Sequence, residues 1–308
     1  MLIIIAGGTG LIGRKLTQHL VQKDYEVIIL SRNPEKVVSN PKGVRIAAWD
    51  GKSTEGWGDW VNQAHAVVNL AGENIGGEGF LPSRLTDKRK ERIRNSRILT
   101  TKALVEAIQS AETKPQVFIQ ASAIGYYGFH QDEKLNEQSP PGNDFFAEWK
   151  EWEPVSAPVE GMGVRRVIIR SGVIFSTGQG SALNRLVLPY KLYAGGPIGD
   201  GKQYLSWIHE IDEARGIRFL IENESAQGAF NLTAPNPATN AEIGRAIAEV
   251  LKRPYYLPVP EFAFNLAFGE VAGLVTKGQR VLPERLLDIG FEFQFPEVEP
   301  ALRNLLVG

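Results

Sequence analysis

The sequence predicts an α/β fold in which a doubly wound parallel sheet is followed by a smaller mixed lobe. Six short runs that are apolar almost throughout alternate with longer stretches of helical periodicity. Continuous apolar strands are typical of a sheet covered on both faces, and strand, helix, strand in series requires crossovers between parallel strands. The predicted strands are Leu2–Ala6, Val27–Leu30, Val44–Ala48, Ala66–Leu70, Val117–Gln120 and Val164–Arg170. The predicted helices are Leu11–Gln22, Arg84–Gln109 and Phe145–Trp152.

The second lobe is predicted from a change in composition after about residue 176, where Gly and Pro become frequent. A helix is expected over Glu210–Glu222 and a short strand over Ala229–Leu232. Thr239 and Glu242 have the spacing of a capping box in front of another amphipathic helix. This lobe is therefore expected to contain both helices and strands.

Chain length and composition limit the number of domains and the possible chemistry. The 308 residues allow one large domain or two ordinary ones. We expect a first domain over residues 1–176 and a substrate lobe over residues 177–308, which includes a C-terminal segment, 257–308, with some interleaving of the two. Cysteine is absent, which excludes disulfides, thiolate zinc sites and iron–sulfur clusters.

Net charge and hydropathy limit the classes of binding partner and the cellular compartment that we expect. Lys and Arg total 34 against 35 Asp and Glu, and a balance near zero argues against a nucleic-acid partner or a polybasic membrane surface. No apolar run reaches the ~18 residues of a membrane span. A signal peptide requires a basic region before its apolar segment, and no basic region precedes Leu2–Ala6. We expect a cytoplasmic protein with a small-molecule partner, and the sequence leaves its oligomeric state open.

A glycine-rich loop follows the first predicted strand and opens the first predicted helix. It reads Gly7-Gly8-Thr9-Gly10-Leu11-Ile12-Gly13. In a Rossmann-type unit Gly7 would permit a tight turn, Gly10 would let a pyrophosphate approach the backbone, and Gly13 would let helix and strand lie close. The amide groups at the helix start then face the phosphates. The context predicts a dinucleotide site, and the alternative is a tight structural turn.

The end of the second predicted strand selects the cofactor. NAD sites place an Asp or Glu there to accept from the ribose 2′-hydroxyl. This chain has Ser31 and Arg32 instead, and a guanidinium can hold a 2′-phosphate. The sequence therefore predicts NADP(H), the alternative being a solvated Arg32 with NAD tolerated. Asp50, after the third strand, is expected either to reach the adenine or to form a turn.

The segments at the ends of the fourth and fifth predicted strands are Asn69-Leu70-Ala71-Gly72 and Ala121-Ser122-Ala123. They resemble the Asn-Ala-Gly segment and the catalytic Ser position of the extended or atypical short-chain dehydrogenases/reductases. Several segments resemble one atypical subgroup more closely, the "epimerase family protein" oxidoreductases of unassigned substrate. These are Leu70-Ala-Gly-Glu73, Ser96-Arg97, Ala121-Ser-Ala-Ile-Gly-Tyr-Tyr-Gly128, Gly195-Gly-Pro-Ile-Gly199 and Ser206-Trp-Ile-His209.

The resemblance implies further site residues. Cofactor contacts are expected from Leu70, Ala71, Gly72 and Arg97, although Arg97 is equally well explained by a structural ion pair. A substrate cleft is expected at Glu73, Tyr126, Gln203, Trp207 and His209. For His209 the alternative is a hydrogen bond that joins the two domains.

The superfamily's acid/base pair, a Tyr with a Lys four residues later, is absent. None of the eight tyrosines has Lys at that spacing, and Phe145 and Trp149 stand where the pair is expected. Ser122 remains to polarise a substrate oxygen, the alternative being a structural hydroxyl with its hydrogen bonds satisfied. Tyr127 is a candidate acid or, alternatively, an aromatic wall, and Lys150 is either a substitute cation or a solvated helix lysine.

Three functions are compatible with these residues. The first is an NADP(H)-dependent oxidoreductase that acts on an unidentified small molecule. The second is a non-catalytic NADP(H)-binding sensor or scaffold, favoured by the missing Tyr/Lys pair. The third and weaker one is a nucleotide-sugar epimerase or dehydratase, since that chemistry also relies on the missing Tyr. No spacing of His with carboxylates predicts a metal site.

Overall fold

Parallel strands form the central sheet of the computed structural model, which describes residues 1–36, 42–77, 84–143, 147–262, 266 and 269–308. In chain order the strands are β1 (Leu2–Ala6), β2 (Glu26–Ser31), β3 (Val44–Ala48), β4 (Ala64–Asn69), β5 (Val117–Ala123), β6 (Lys134–Leu135), β7 (Arg165–Ser171), β8 (Val173–Phe175), β9 (Tyr204–Leu205), β10 (Trp207–His209), β11 (Gly228–Leu232), β12 (Ala238–Thr239) and β13 (Arg280–Val281). The large sheet has the order β11-β7-β5-β4-β1-β2-β3, and all its neighbouring strands are parallel. The predicted fold class is confirmed.

Helices cover both faces of this sheet. They are α1 (Leu11–Val21), α2 (Asp87–Ser110), α3 (Ala182–Lys191), α4 (Glu210–Glu222) and α5 (Asn240–Leu251), followed by the short helices Gly273–Thr276, Glu284–Asp288 and Val298–Leu306. Turns of 3-10 helix occupy Pro34–Lys36, Gly58–Gln63, Ile124–Tyr127, Ala147–Trp152, Pro154–Met162 and Gly269–Ala272.

Successive side chains of β1 point to opposite faces of the sheet, and the main core therefore has two layers. Ile3 and Ile5 belong to the cluster that contains Leu16 of α1 and residues of α4. Ile4 belongs to the opposite cluster, which contains Leu104 of α2. Because both faces are covered by apolar helix faces, almost every residue of the strand is buried, and this explains its continuous apolar sequence.

The sheet is completed by residues that lie beyond position 176. β11 pairs in parallel with β7, and α4, which precedes it, packs on α1. The second lobe has its own core, in which Phe175 and Trp207 stack with ring centroids 5.4 Å apart. The two parts therefore interleave, while the division at residue 176 stays a prediction.

The capping box before α5 is confirmed. The Thr239 hydroxyl accepts from the amide of Glu242, whose carboxylate accepts from the amide of Thr239 at 2.7 Å. This reciprocal pair satisfies two amide groups that a helix start would otherwise leave open.

Several predicted boundaries differ from the structure, most of them by one or two residues, and three differences are larger or concern a site residue. β5 continues to Ala123 because residues 121–123 stay paired with β7, so Ser122 lies within the strand end. The helix α2 begins at Asp87 rather than Arg84, since the Thr86 hydroxyl caps it by accepting from the amide of Arg89. The helix predicted over Phe145–Trp152 is a 3-10 helix over Ala147–Trp152, and Phe145 lies outside the described residues.

The C-terminal segment returns to the sheet through a fully buried aspartate on α4. Asp212 accepts from the amides of Gln294 at 2.9 Å and Phe295 at 2.8 Å, and Arg215 donates to it at 2.7 Å. Leu286 joins the core beside the sheet. One carboxylate thus fastens a segment more than 80 residues away along the chain.

Asp212→Ala tests this clamp. The change leaves two amide groups without their acceptor and Arg215 without its partner, so we expect the free energy of unfolding to fall by about 3 kcal/mol or more. Urea denaturation followed by circular dichroism measures it. Glu106→Ala, an exposed acid on α2, is the control and should change the value by no more than about 0.5 kcal/mol. Equal stability of the two variants would contradict the clamp.

Candidate active site

The glycine-rich loop adopts the geometry that the sequence predicts. Gly7 has a φ of +80°, and a Cβ there would lie 2.7 Å from the Leu70 carbonyl carbon. The Gly10 amide donates to the Gly7 carbonyl at 3.0 Å, which closes the turn. A Cβ at Gly13 would lie 2.3 Å from the Gly7 carbonyl oxygen, so this glycine allows α1 to approach β1.

The approach to Gly10 is open, as a bound pyrophosphate would need. A Cβ at Gly10 would meet the Gly7 carbonyl oxygen at 3.2 Å and no other described atom within 4 Å. Gly10 begins α1 without a side-chain cap, and the first turn contains no acidic residue. Helix-start amides lack partners inside the helix and favour an anion. Exposed Thr9 and half-buried Leu11 and Ile12 flank this position, so the loop fits a dinucleotide.

The two residues after β2 differ in exposure. Ser31 is buried, and its hydroxyl accepts from the Asn33 amide at 3.2 Å. Arg32 is exposed and makes no ion pair with any described residue. The guanidinium is therefore available to an anion such as a 2′-phosphate.

Asp50 has a turn-forming role in the structure. Its Oδ1 accepts from the amides of Lys52 and Ser53, each at 2.8 Å. These bonds to the amides of Ser53 and Lys52 lower the pKa of Asp50. Of the two roles expected for Asp50, the contacts support the turn.

The loop after β4 is held from beneath by Arg97. The Arg97 Nη1 donates to the carbonyls of Glu73 at 3.1 Å and Ile93 at 3.2 Å, and its guanidinium carbon lies 4.5 Å from the ring centroid of Trp152. A Cβ on Gly72 would lie 2.9 Å from that carbon. Burial lowers the pKa of Arg97 to about 10, so it stays cationic at neutral pH. It forms no ion pair within 4 Å in the described part of the chain, contrary to the structural-ion-pair alternative.

The amides of this loop are ordered by the sheet. Leu70 donates to the Ala6 carbonyl at 2.9 Å, and Ala71 donates to the side-chain oxygen of Asn69 at 3.1 Å. Leu70 also lies against Gly7, as the glycine geometry requires. The loop therefore borders the dinucleotide cradle, as expected from the sequence.

A cavity of about 150 Å³ opens at the carboxyl end of β5. Its wall includes residues from the sheet, from the 3-10 helix Ala147–Trp152 and from the second lobe. The side chains that matter most are Ser122, Tyr126, Phe129, Lys150, Trp152 and Tyr204. Ser122 and Tyr126 therefore lie where the sequence predicts a substrate.

Ser122 is joined to a buried ion pair. Its hydroxyl donates to Glu153 Oε1 at 2.6 Å and accepts from Trp152 Nε1 at 3.3 Å. Glu153 in turn accepts from Arg170 Nε at 3.0 Å and Nη2 at 2.9 Å. Both charged side chains are nearly inaccessible, at 6% for Arg170 and 7% for Glu153. Such a pair holds both partners in fixed positions.

Tyr127 belongs to this network and does not line the cavity, which corrects its assignment as a candidate acid. The Tyr127 hydroxyl donates to Asn231 Oδ1 at 2.7 Å and accepts from Arg170 Nη1 at 3.0 Å. The side chain is fully buried, and burial raises the pKa of Tyr127 to about 12. Tyr126 lines the cavity instead, and the Arg170 guanidinium carbon lies 3.4 Å from its ring centroid.

Three residues predicted for the substrate cleft are scaffold residues. Trp207 is fully buried in the second core, and Gln203 Nε2 donates to the carbonyls of Ile198 and Val275 at 3.0 and 3.2 Å. His209 is fully buried, accepts from the Ile211 amide at 3.1 Å and stacks 3.9 Å from Phe295. None of the three lines the cavity.

Glu73 also lies outside the cavity wall. Its Oε1 is 3.1 Å from Arg92 Nη2 and 3.8 Å from Arg89 Nε. Its side chain therefore pairs with cations of α2. Later residues complete the cavity wall: Ser206 stands in one of the segments that carry the resemblance, whereas Tyr204 and Gln279 were not predicted.

Lys150 lines the cavity, which contradicts its interpretation as a solvated helix lysine. It is half-buried and forms no ion pair with any described side chain. Trp149, which stands at the expected Lys position, has no described side chain. The described residues contain no group of three His, Asp or Glu that could hold a metal.

Comparison with known proteins identifies the family. The sequence profile described as "NAD dependent epimerase/dehydratase family" matches residues 3–233. The chain belongs to the NAD dependent epimerase/dehydratase family. A second profile, "Domain of unknown function (DUF1731)", matches residues 259–305. The predicted resemblance and the nicotinamide dinucleotide class of the cofactor are confirmed by this membership.

Two relatives cover nearly the whole chain. The "Epimerase family protein YfhF" of Bacillus subtilis (strain 168) is 40% identical over 99% of this chain and 98% of its own length. The crystal structure of human epimerase family protein SDR39U1 (isoform 2) with NADPH superposes with a TM-score of 0.87 at 33% identity, covering 99% of both chains.

A third similar structure is the nucleoside-diphosphate sugar epimerase from Corynebacterium glutamicum, with a TM-score of 0.77 and 32% identity. It covers 99% of this chain but 58% of its own. In the described part of the present chain, no helix is long and apolar enough to cross a membrane.

Gly10→Val tests the dinucleotide cradle. A branched side chain would fill the space that a pyrophosphate must enter, so we expect binding of NADPH to be lost while the circular dichroism spectrum is kept. Titration calorimetry measures the affinity. Gly161→Val is the control, because a Cβ there meets nothing within 4 Å. Unchanged affinity in Gly10→Val would show that this loop does not bind the cofactor.

Proposed function

We propose that this protein is an NADP(H)-dependent oxidoreductase that acts on a small molecule in the cavity beside Ser122. The observation that carries the proposal is the position of the Ser122 hydroxyl. It lines the cavity at the carboxyl end of β5, one strand from β4 and two from β1, and its proton is directed at Glu153 2.6 Å away. Ligands of open α/β sheets bind at that edge.

NADP(H) is the proposed cofactor. The glycine loop is open in front of Gly10, Arg32 is exposed without a described ion pair, and no carboxylate stands directly after β2. The NADPH in the human relative's crystal structure supports the same choice. When bound, the cofactor supplies or accepts the hydride.

Ser122 and Glu153 would move the proton. The Ser122 hydroxyl donates to Glu153 and accepts from Trp152 Nε1, so one lone pair is left to accept from a substrate hydroxyl. In alcohol oxidation the substrate proton passes to Ser122 Oγ while the Ser122 proton passes to Glu153 Oε1. Carbonyl reduction is the reverse. Arg170 fixes the Glu153 carboxylate through two hydrogen bonds and so keeps this relay aligned.

The size of the cavity argues against the nucleotide-sugar alternative. About 150 Å³ is smaller than the roughly 300–1,000 Å³ of pockets for drug-sized ligands. A nucleotide sugar is itself larger than a typical drug fragment, whereas a small carbonyl compound would fit.

A non-catalytic NADP(H) sensor is the second candidate. It is favoured by the burial of the Tyr127 hydroxyl, which keeps this candidate acid out of the cavity. The sensor would bind NADPH and change its melting temperature without consuming cofactor in a broad screen of carbonyl compounds.

Arg32→Ala tests the cofactor choice. Loss of a hydrogen bond to a charged group should weaken NADP(H) binding by about 1.5–3 kcal/mol, while NAD(H), which lacks the 2′-phosphate, should be barely affected. Calorimetric titration of both cofactors against both proteins gives the comparison. An equal loss of affinity for the two cofactors would show that Arg32 does not bind the 2′-phosphate.

Ser122→Ala tests the proposed chemistry. A reductase screen with NADPH and small aldehydes, ketones and oxo acids comes first. On a substrate found there, we expect kcat to fall by about 10²–10³, as for loss of a transition-state hydrogen bond, with NADPH affinity within about threefold of the parent.

Ser225→Ala, which removes a hydroxyl from an exposed loop, is the matched control and should keep the parental kcat. Glu153→Gln should lower kcat as well and flatten the pH profile, because the amide cannot take a proton from Ser122. Parental turnover in Ser122→Ala would make the proposed role of Ser122 wrong.

A further inference from the structure

The aromatic walls of the cavity are each backed by a cation. The guanidinium carbons of Arg170, Arg97 and Arg280 lie 3.4, 4.5 and 4.5 Å from the ring centroids of Tyr126, Trp152 and Tyr204 respectively. The Nζ of Lys277 lies 5.3 Å from the ring centroid of Phe129. Cations within about 6 Å of a ring face are held there by the ring quadrupole. Lys150 adds a fifth positive charge directly in the wall.

Little negative charge compensates these five cations. In the described part of the chain, Glu153 beside Arg170 is the one carboxylate within 4 Å of any of them. The Nε of Arg280 is buried without a hydrogen-bond partner among the described atoms. No Asp or Glu of the described residues lines the cavity.

A second buried acid near the cavity, Glu213, does not change this charge balance. Glu213 lies behind Ser171 of the cavity wall and accepts from its hydroxyl at 2.6 Å. Complete burial raises the pKa of Glu213 to about 8, so the group is mostly neutral at pH 7. Four of the five cations therefore have no carboxylate within 4 Å in the described part of the chain, and this leaves the surroundings of the cavity net positive and favourable to an anion.

From this charge arrangement, and resting on the proposed function, we infer that the substrate is a small organic anion: a carbonyl compound, or the corresponding alcohol, that bears one carboxylate or phosphate group. The anionic group lies at Lys150, and the reacting oxygen lies at Ser122. The apolar part is enclosed by Tyr126, Phe129 and Tyr204. The cations behind the rings favour the anion without occupying the space of about 150 Å³.

Two matched pairs of probes test the substrate class. Pyruvate is compared with pyruvamide, and 4-carboxybenzaldehyde with 4-formylbenzamide, so that each acid has a neutral partner of nearly the same shape. Binding is measured with NADPH present, by the change in tryptophan fluorescence and by melting temperature. We expect at least one acid to bind about 10-fold or more tightly than its amide, and the difference to shrink as salt is added.

Lys150→Met removes the wall charge and keeps most of the side-chain stem. We expect it to weaken binding of the acid about 10- to 100-fold and to leave the amide unchanged, while Lys150→Arg restores most of the preference. Arg280→Met should act in the same direction with a smaller effect. Lys23→Met, an exposed lysine after α1 at the opposite edge of the sheet, is the control for a lost charge and should bind as the parent.

The outcomes separate this inference from the proposed function. If no acid binds more tightly than its amide, or if Lys150→Met and Arg280→Met both keep the parental preference, the inference is wrong. Oxidation of NADPH by neutral carbonyl compounds as fast as by acids would also overturn it, while the oxidoreductase proposal would stand. A preference for the acids without any turnover would support the inference and contradict the oxidoreductase proposal. A phosphate-bearing class is distinguished by repeating the comparison with acetyl phosphate and inorganic phosphate as competitors.

Discussion

The Arg170–Glu153 ion pair holds together parts of the molecule that the chain does not connect directly. Arg170 stands near the end of β7, and Glu153 follows the 3-10 helix that carries Lys150 and Trp152. The pair orients Ser122 through one oxygen of Glu153 and fixes Tyr127 and Asn231 through the other side of the guanidinium. Removing either partner would leave the other charge buried, which typically costs 3–5 kcal/mol. The site therefore depends on a contact that few neighbouring residues could replace.

The domain of unknown function contributes directly to this site. Its matched segment, residues 259–305, contains Gln279 of the cavity wall together with Lys277 and Arg280 behind it. Gln279 Nε2 donates to the Ile124 carbonyl at 3.1 Å, and Ser206 Oγ donates to the Gln279 carbonyl at 2.9 Å. The segment is thus a wall of the cavity rather than an appendage, and its charges help to define what can enter.

The sheet and the glycine loop could be predicted because their signals are local. Continuous apolar runs located β1 and β3 to the residue, and the loop glycines have requirements set by neighbours a few positions away. The Arg170–Glu153 pair could not be predicted, since it joins residues on different elements. Arg170, which follows three apolar residues in β7, was its one local signal. Tyr127 was misassigned because a sequence motif does not give the direction of a hydroxyl group. Trp207 was misassigned because resemblance marks scaffold residues as strongly as site residues, whereas the burial of His209 agrees with the structural alternative for that residue.

The Asp212 clamp has a consequence for the order of events during translation. Asp212 leaves the ribosome more than 80 residues before Gln294 and Phe295, the partners of its carboxylate. The sheet through β11 can therefore assemble first, with the Asp212 carboxylate still facing solvent or a temporary partner. Long-range contacts of this kind form slowly, because the intervening chain must be ordered before they are made. The nascent chain would pass through an interval in which the sheet exists but the cavity lacks the wall that residues 278 and 279 supply, and in that interval the second lobe is open to chaperones.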